Sequence, residues 1–201
     1  MKMETNIINR SSEMYLRLGF KSVTMDDVAS EMGISKKTIY QYFSNKRELV
    51  EAVINSIFTQ VSNKMNEITN SNLNPIEKLF KMNDFLGDVL KNENTSPFYQ
   101  LQKFYPQIYK TLTTNQLTQI NECLIKNLKR GIDQGLYRKE INMYEMSRFY
   151  LIGINGIYDL QLFNTLKSNK TNLQSAHLEY HLRAICTTKG IQILESIIKN
   201  K

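Results

Sequence analysis

Between Gly33 and Arg47 the sequence GISKKTIYQYFSNKR carries four cations and no carboxylate. Ser35, Lys36, Lys37 and Thr38 stand together where a helix would begin. The first turn of a helix presents unpaired backbone N–H groups and a partial positive charge, both suited to phosphate, and no acid in the stretch opposes them. Ile39 and Phe43 follow at i, i+4 spacing, so they can bury one face against Val28, Ala29 and Leu49. That leaves Lys37, Thr38, Tyr40 and Gln41 for outward positions. Gln suits adenine in a major groove, Lys suits guanine, and the Thr methyl can touch thymine. Tyr hydroxyls and Ser, Thr or Lys side chains are common phosphate contacts. The chemistry these residues could do is non-covalent recognition of duplex nucleic acid. A basic run by itself is usually a solvated face, so the weight falls on the elements that would hold it.

Those elements are legible as helices. Only three Pro and eight Gly occur in 201 residues, mostly at breaks between long stretches of helical periodicity. No strand-type alternation is sustained. A first helix is expected from about Glu4 to Leu18, ending at Gly19. Thr24 with Asp27 has the spacing of a capping box for a second, short helix to Met32. Gly33 ends it with a residue that tolerates a left-handed turn, and Ser35 caps a third helix to about Phe43. Two short helices joined by a tight glycine turn, the second of them cationic, describe a helix-turn-helix. A fourth helix starts near Asn45, with Glu48 at capping-box spacing, and continues through Leu49, Val53, Ile57, Val61, Met65 and Ile68, with a boundary inside it. Asn74-Pro75 opens a helix to about Lys91. Pro97 and Pro106 bracket a short aromatic helix. Further helices are expected at about Gln107–Asp133, Asn142–Leu166 and Leu173–Ile198, about nine in all.

The segment IINRSSEMYLRLGFKSVTMDDVASEMGISKKTIYQYFSNKRELVEAVI resembles the DNA-binding domain of the TetR family of bacterial regulators. The likeness rests on Gly19-Phe20, Thr24, Val28-Ala29, Gly33-Ile34-Ser35, Ile39-Tyr40, Tyr42-Phe43, Lys46 and Leu49 in order and at fixed spacing, across about residues 7–54. Two positions depart from the family pattern. Ser11-Ser12 stand where Ala is usual at one place, and Gln41 stands where His or Tyr is frequent, which makes Gln41 a candidate for setting this protein's own operator. The resemblance implies that Thr24, Ser35, Tyr40, Tyr42 and Lys46 hold phosphates and that Lys36, Lys37, Thr38 and Gln41 face the major groove.

For the remainder the resemblance implies an all-α second domain that binds a small effector and dimerises. Phe98, Tyr99, Phe104, Tyr105 and Tyr109 suit a pocket by their polar-tipped aromatic character, or alternatively core packing. The stretch RFYLIGINGIYDLQLF is apolar on almost every side, with Gly153 and Gly156 permitting close helix approach and Ile157 on its apolar face. With Leu182, Ile185, Ile193, Leu194 and Ile197 it resembles the family's four-helix dimer interface; a monomeric core is the alternative. His177 and His181, the only histidines, lie four apart and could share a metal, but no third ligand is spaced to join them, so no metal and no cofactor are expected. Cys123 and Cys186 form no disulfide framework and read as buried small hydrophobes.

Composition narrows the classes. The charge of +7 and the pI near 9.3 are compatible with a polyanion partner, yet residues 1–60 hold eight cations against seven anions, so most of the excess lies further on. No apolar run reaches membrane-span length, and the start MKMETNIINR lacks a secretory h-region, so a soluble, cytoplasmic protein is expected. No nucleophile elbow, phosphate-loop glycine run or metal box marks an enzyme. The expected protein is all-α, with a helix-turn-helix domain over residues 1–48 and an effector-binding and dimerisation domain over 49–201. Its partners would be double-stranded DNA, a second copy and an unidentified small molecule, with no membrane. The expected function is a ligand-responsive regulator, most simply a repressor on a palindrome; a DNA-bound scaffold whose second domain contacts a protein is the rival.

Overall fold

The computed structural model describes residues 2–90, 97–158 and 170–200. Among them are ten helices: α1 (Lys2–Leu18), α2 (Met25–Met32), α3 (Lys36–Tyr42), α4 (Lys46–Asn70), α5 (Pro75–Leu90), α6 (Pro97–Phe104), α7 (Pro106–Asp133), α8 (Met143–Tyr158), α9 (Lys170–Ile185) and α10 (Thr188–Lys199). The fold is all-α, and the described residues hold no named strand. None of these helices is long and apolar enough to cross a membrane. The chain divides into two compact units, Met1–Asn63 with Asn92–Leu117, and Lys64–Lys91 with Thr118–Lys201. The division falls inside α4 and again inside α7.

The first unit is built on the apolar stripes of α1 to α4. Ile7, Tyr15, Phe20, Val28, Ile39, Phe43, Leu49 and Val53 are buried together, each such side chain contributing about 1.5–3 kcal/mol. Helix ends are sealed as their sequences dictate. The Thr24 hydroxyl accepts from the N–H of Asp27 at 3.1 Å, while Asp27 Oδ2 accepts from the N–H of Thr24 at 2.8 Å. Gly33 takes a left-handed φ of 63° after α2, which lets Ile34 N–H reach back to the carbonyl of Ala29 at 3.0 Å and releases the chain toward α3. Asn45 Oδ1 accepts from Glu48 N–H at 3.0 Å. Leu101 of α6 and Ile108 and Leu112 of α7 complete the same core.

In the second unit Asn74 caps α5, accepting from Ile76 and Glu77 N–H at 3.0 Å each. Asn127 of α7 donates to the Pro75 carbonyl at 2.8 Å and accepts from the Tyr137 hydroxyl at 3.1 Å, all within the core. The buried ammonium of Lys78 donates to the Thr69 carbonyl at 2.6 Å, satisfying one of the orphan acceptors at the end of α4. One expectation is corrected. The last helix is not continuous from Leu173 to Ile198 but breaks at Cys186–Thr187. There Arg138 N–H bonds the Ile185 carbonyl and Thr187 N–H bonds the Leu136 carbonyl, both at 2.9 Å. Tyr137 and Cys186 pair as an isolated bridge. Thr187 then caps α10 through its hydroxyl. These long-range bonds replace helical ones, and no periodicity in the sequence announces them.

Candidate nucleic-acid interface

Helix α3 is held by its buried face. Ile39 has no exposed surface and Phe43, just past its end, is buried, while Ser35 caps it by accepting from Thr38 N–H at 3.1 Å. The opposite face is open. Lys37 and Gln41, four residues apart and so on one side of the helix, are both exposed. Tyr40 and Tyr42 are exposed at 44% and 38%.

The other expected contacts are already engaged within the chain. Lys36 Nζ lies 2.8 Å from Asp26 Oδ2 and 5.9 Å from the centre of the Tyr40 ring, and its pKa is raised by the hydrogen bond to Asp26. The Thr24 hydroxyl donates to Asp27 Oδ2 at 2.7 Å, so both sides of it serve the α2 cap. The backbone N–H of Thr24, then its hydroxyl, hold the Asp27 carboxyl below its usual pKa. The hydroxyls of Ser35 and Thr38 lie 2.8 Å apart, one donating to the other. Lys46, half-buried, donates to the Lys21 carbonyl at 3.0 Å, and burial lowers its pKa. The structure adds contacts from Asp26, Lys21 and Gln100 to this neighbourhood. Gln100 Oε1 accepts from Lys21 N–H at 3.0 Å, and its side-chain amide fills the space a Cβ on Gly19 would need. Asp26 carried one available signal, an acid on the first turn of α2 without a capping duty; Gln100 carried none.

The expected aromatic pocket residues belong to this same unit. Tyr105 and Tyr109 pack, partly buried, on the core that supports α1 to α3, and Phe104 is exposed beneath the ammonium of Lys21, 5.1 Å away. The side chains of Phe98 and Tyr99 lie outside the described residues.

In the second unit, the expected interface residues Leu182, Ile185 and Leu194 have no exposed surface, and Ile157 is buried at 7%. These side chains face their own chain's core. Ile193 and Ile197 are half-buried. The apolar side chains that α8 and α9 turn outward are Tyr144, Phe149, Ile152 and Tyr180, exposed at 66%, 59%, 66% and 73%. Gly153 does permit close approach, since the ring of His177 occupies the place of its missing Cβ; Gly156 has nothing described within 4 Å. His177 Nε2 is 3.0 Å from the Tyr150 carbonyl. The Tyr150 ring lies against His177 and His181, with centroids 5.2 and 5.0 Å away. Among the described residues no three His, Cys, Asp or Glu side chains gather as a metal site.

A short capped α2, a left-handed glycine and an α3 with one buried and one open face together make a helix-turn-helix. The family model for bacterial regulatory proteins of the tetR family matches residues 7–53. YvaF, an HTH-type transcriptional regulator of Bacillus subtilis (strain 168), is 30% identical over 165 residues, spanning 78% of this chain and 82% of its own. The chain belongs to the TetR family. It is, like that family, a DNA-binding transcriptional regulator. A more distant relative, the HTH-type transcriptional repressor KstR2 of Mycobacterium tuberculosis, is 20% identical over 146 residues, 71% of this chain and 73% of the relative. The fold is shared with a transcriptional regulator of Saccharomonospora viridis solved in complex with choline, at a TM-score of 0.76 and 16% identity over 92% of this chain and 98% of that one.

Proposed function

We propose that the protein is a homodimeric, cytoplasmic TetR-family repressor that binds a palindromic operator through α3 and leaves it when a small molecule binds. The observation that carries this reading is the pairing of exposed Lys37 and Gln41 on the one face of α3 that its buried residues leave free. Lys37 and Gln41 read base edges, while the exposed hydroxyls of Tyr40 and Tyr42 and the remaining donors of Lys46 hold phosphates. Thr24, Ser35 and Thr38 act chiefly as caps that fix the angle of α2 and α3, and reach phosphate only through what their caps leave free. Residues 1–48 supply the DNA contacts and residues 49–201 supply the response and the pairing of copies.

Repression is supported by the nature of KstR2, and a small-molecule response by the choline complex of the structural relative; both are properties of those proteins that this reading extends here. The effector would act through the aromatic segment Phe98, Tyr99, Phe104, Tyr105 and Tyr109. Because Tyr105 and Tyr109 rest on the core beneath α1 to α3, a ligand that displaced them would loosen the support of α3. Such a ligand must bind the released state more tightly than the DNA-bound one to shift the balance. Dimerisation would use Phe149, Ile152 and Tyr180, with Ile193, Ile197 and the open flank of Gly156 at its edge.

The test combines sedimentation and operator binding. Wild type should sediment as a dimer and bind a duplex selected from a random pool, and Ile152→Glu should sediment as a folded monomer with operator affinity reduced at least tenfold. A wild-type monomer that binds the operator at full strength would exclude the dimeric reading. A metabolite screen by thermal shift, followed by operator release, tests the effector; stabilising ligands that never alter operator affinity would exclude the switch.

A further inference from the structure

The stretch from Gly33 to Arg47 has no anion in sequence but has one in space. Asp26, ten positions before Lys36, places Oδ2 2.8 Å from its ammonium. The fold causes this meeting: α2 is fixed by its cap, and the Gly33 turn sets α3 against α2 so that the long Lys36 side chain reaches Asp26. Asp27 completes the Thr24 capping box of α2; Asp26 has no part in that box, and its carboxylate pairs with Lys36. The Tyr40 ring, one turn along α3, adds a second hold on the same ammonium.

We propose that Asp26 is a specificity-determining residue: it withholds Lys36 from phosphate on arbitrary DNA. The inference rests on reading α3 as the recognition helix. On non-operator DNA, binding comes almost entirely from phosphate neutralisation. A loosely seated α3 leaves the Asp26–Lys36 pair closed, so the pair contributes no net charge to phosphate neutralisation. On the operator, Lys37 and Gln41 hold base edges and fix the register. In that register Lys36 faces the groove, away from phosphate, and stays on Asp26. The exposed pair is worth about 0–1 kcal/mol, enough to offset one loosely held phosphate contact. Specificity is the ratio of the two affinities, and Asp26 raises it by lowering the non-specific one.

The test is fluorescence anisotropy over a salt series, using full-length protein with a random-sequence duplex and with a duplex selected from a random pool by the wild type. Asp26→Asn should bind the random duplex about 3–10-fold more tightly at low salt, with a salt slope steeper by about 0.9, the value for one further phosphate neutralised. Its affinity for the selected duplex should stay within about twofold, because Lys36 meets no phosphate in that register. Adding Lys36→Ala to Asp26→Asn should remove the gain, and Asp26→Glu, which keeps the charge, should restore the wild-type ratio. An Asp26→Asn protein whose random-duplex affinity and slope match wild type overturns the proposal. So does a double variant that keeps the gain, because Asp26 would then act without Lys36. Should wild type select no sequence at all, the recognition-helix reading itself fails, and the random-duplex arm still reports on Asp26 separately.

Discussion

Gln100 Oε1 accepts the backbone N–H of Lys21 at 3.0 Å, although 79 residues separate them. The same Lys21 gives its carbonyl to Lys46. One backbone residue thus joins α6 to the turn before α2, and that turn to the start of α4. Gln100→Ala should lower stability by about 1 kcal/mol, the net worth of one hydrogen bond, or about 2–4 °C for a chain of this size. Amide exchange at Lys21 N–H should quicken. Unchanged melting and exchange would show that the turn is held by packing alone.

Ser11 is fully buried in α1, and its hydroxyl has no hydrogen-bond partner among the described residues. A buried unpaired polar group costs about 1–3 kcal/mol, and Ala is the better helix former. Ser11→Ala, which restores the residue type usual in the family's first helix, should raise stability by about 1 kcal/mol. Urea melts of the two proteins measure it directly. A variant no more stable than wild type would mean that the hydroxyl is satisfied in solution.

How much of this was legible in the sequence depended on the range of each interaction. The Thr24–Asp27 box, the Ser35 cap and the Gly33 turn are contacts within three residues, and residue type with spacing predicts them. The buried set Val28, Ala29, Ile39, Phe43 and Leu49 followed from helical periodicity and the family pattern together. Contacts made by tertiary folding left no such mark. The Asp26–Lys36 pair, the Lys46–Lys21 bond and the break of the last helix at Thr187 all arise from segments brought together in space. Apolar patterning also cannot separate a core from an interface. Leu182 and Ile185 share an apolar character with Ile152, yet they point inward and Ile152 points out.

His181 is 6% exposed; burial, with a further contribution from His177, lowers its pKa to about 4. Its unfolded value is about 6.5, so between these values the unfolded chain binds more protons and stability falls as pH drops. The contribution of neutral His181 is complete above about pH 6.5 and falls by about 2 kcal/mol by pH 5. Denaturant melts at pH 7 and pH 5 should show a difference of this size in wild type that is absent in His181→Gln. Equal pH sensitivity in the two proteins would mean that His181 is not the group responsible.

The central claim is that the open face of α3 reads sequence through Gln41 and Lys37. The most direct measurement is anisotropy of Gln41→Ala on the selected operator, on operators altered one base pair at a time, and on random duplex. The account predicts a loss of about 1–3 kcal/mol on the operator, relaxed preference at one base pair in each half-site, and unchanged affinity for random DNA. Equal losses on operator and random duplex, with every base preference intact, would contradict it.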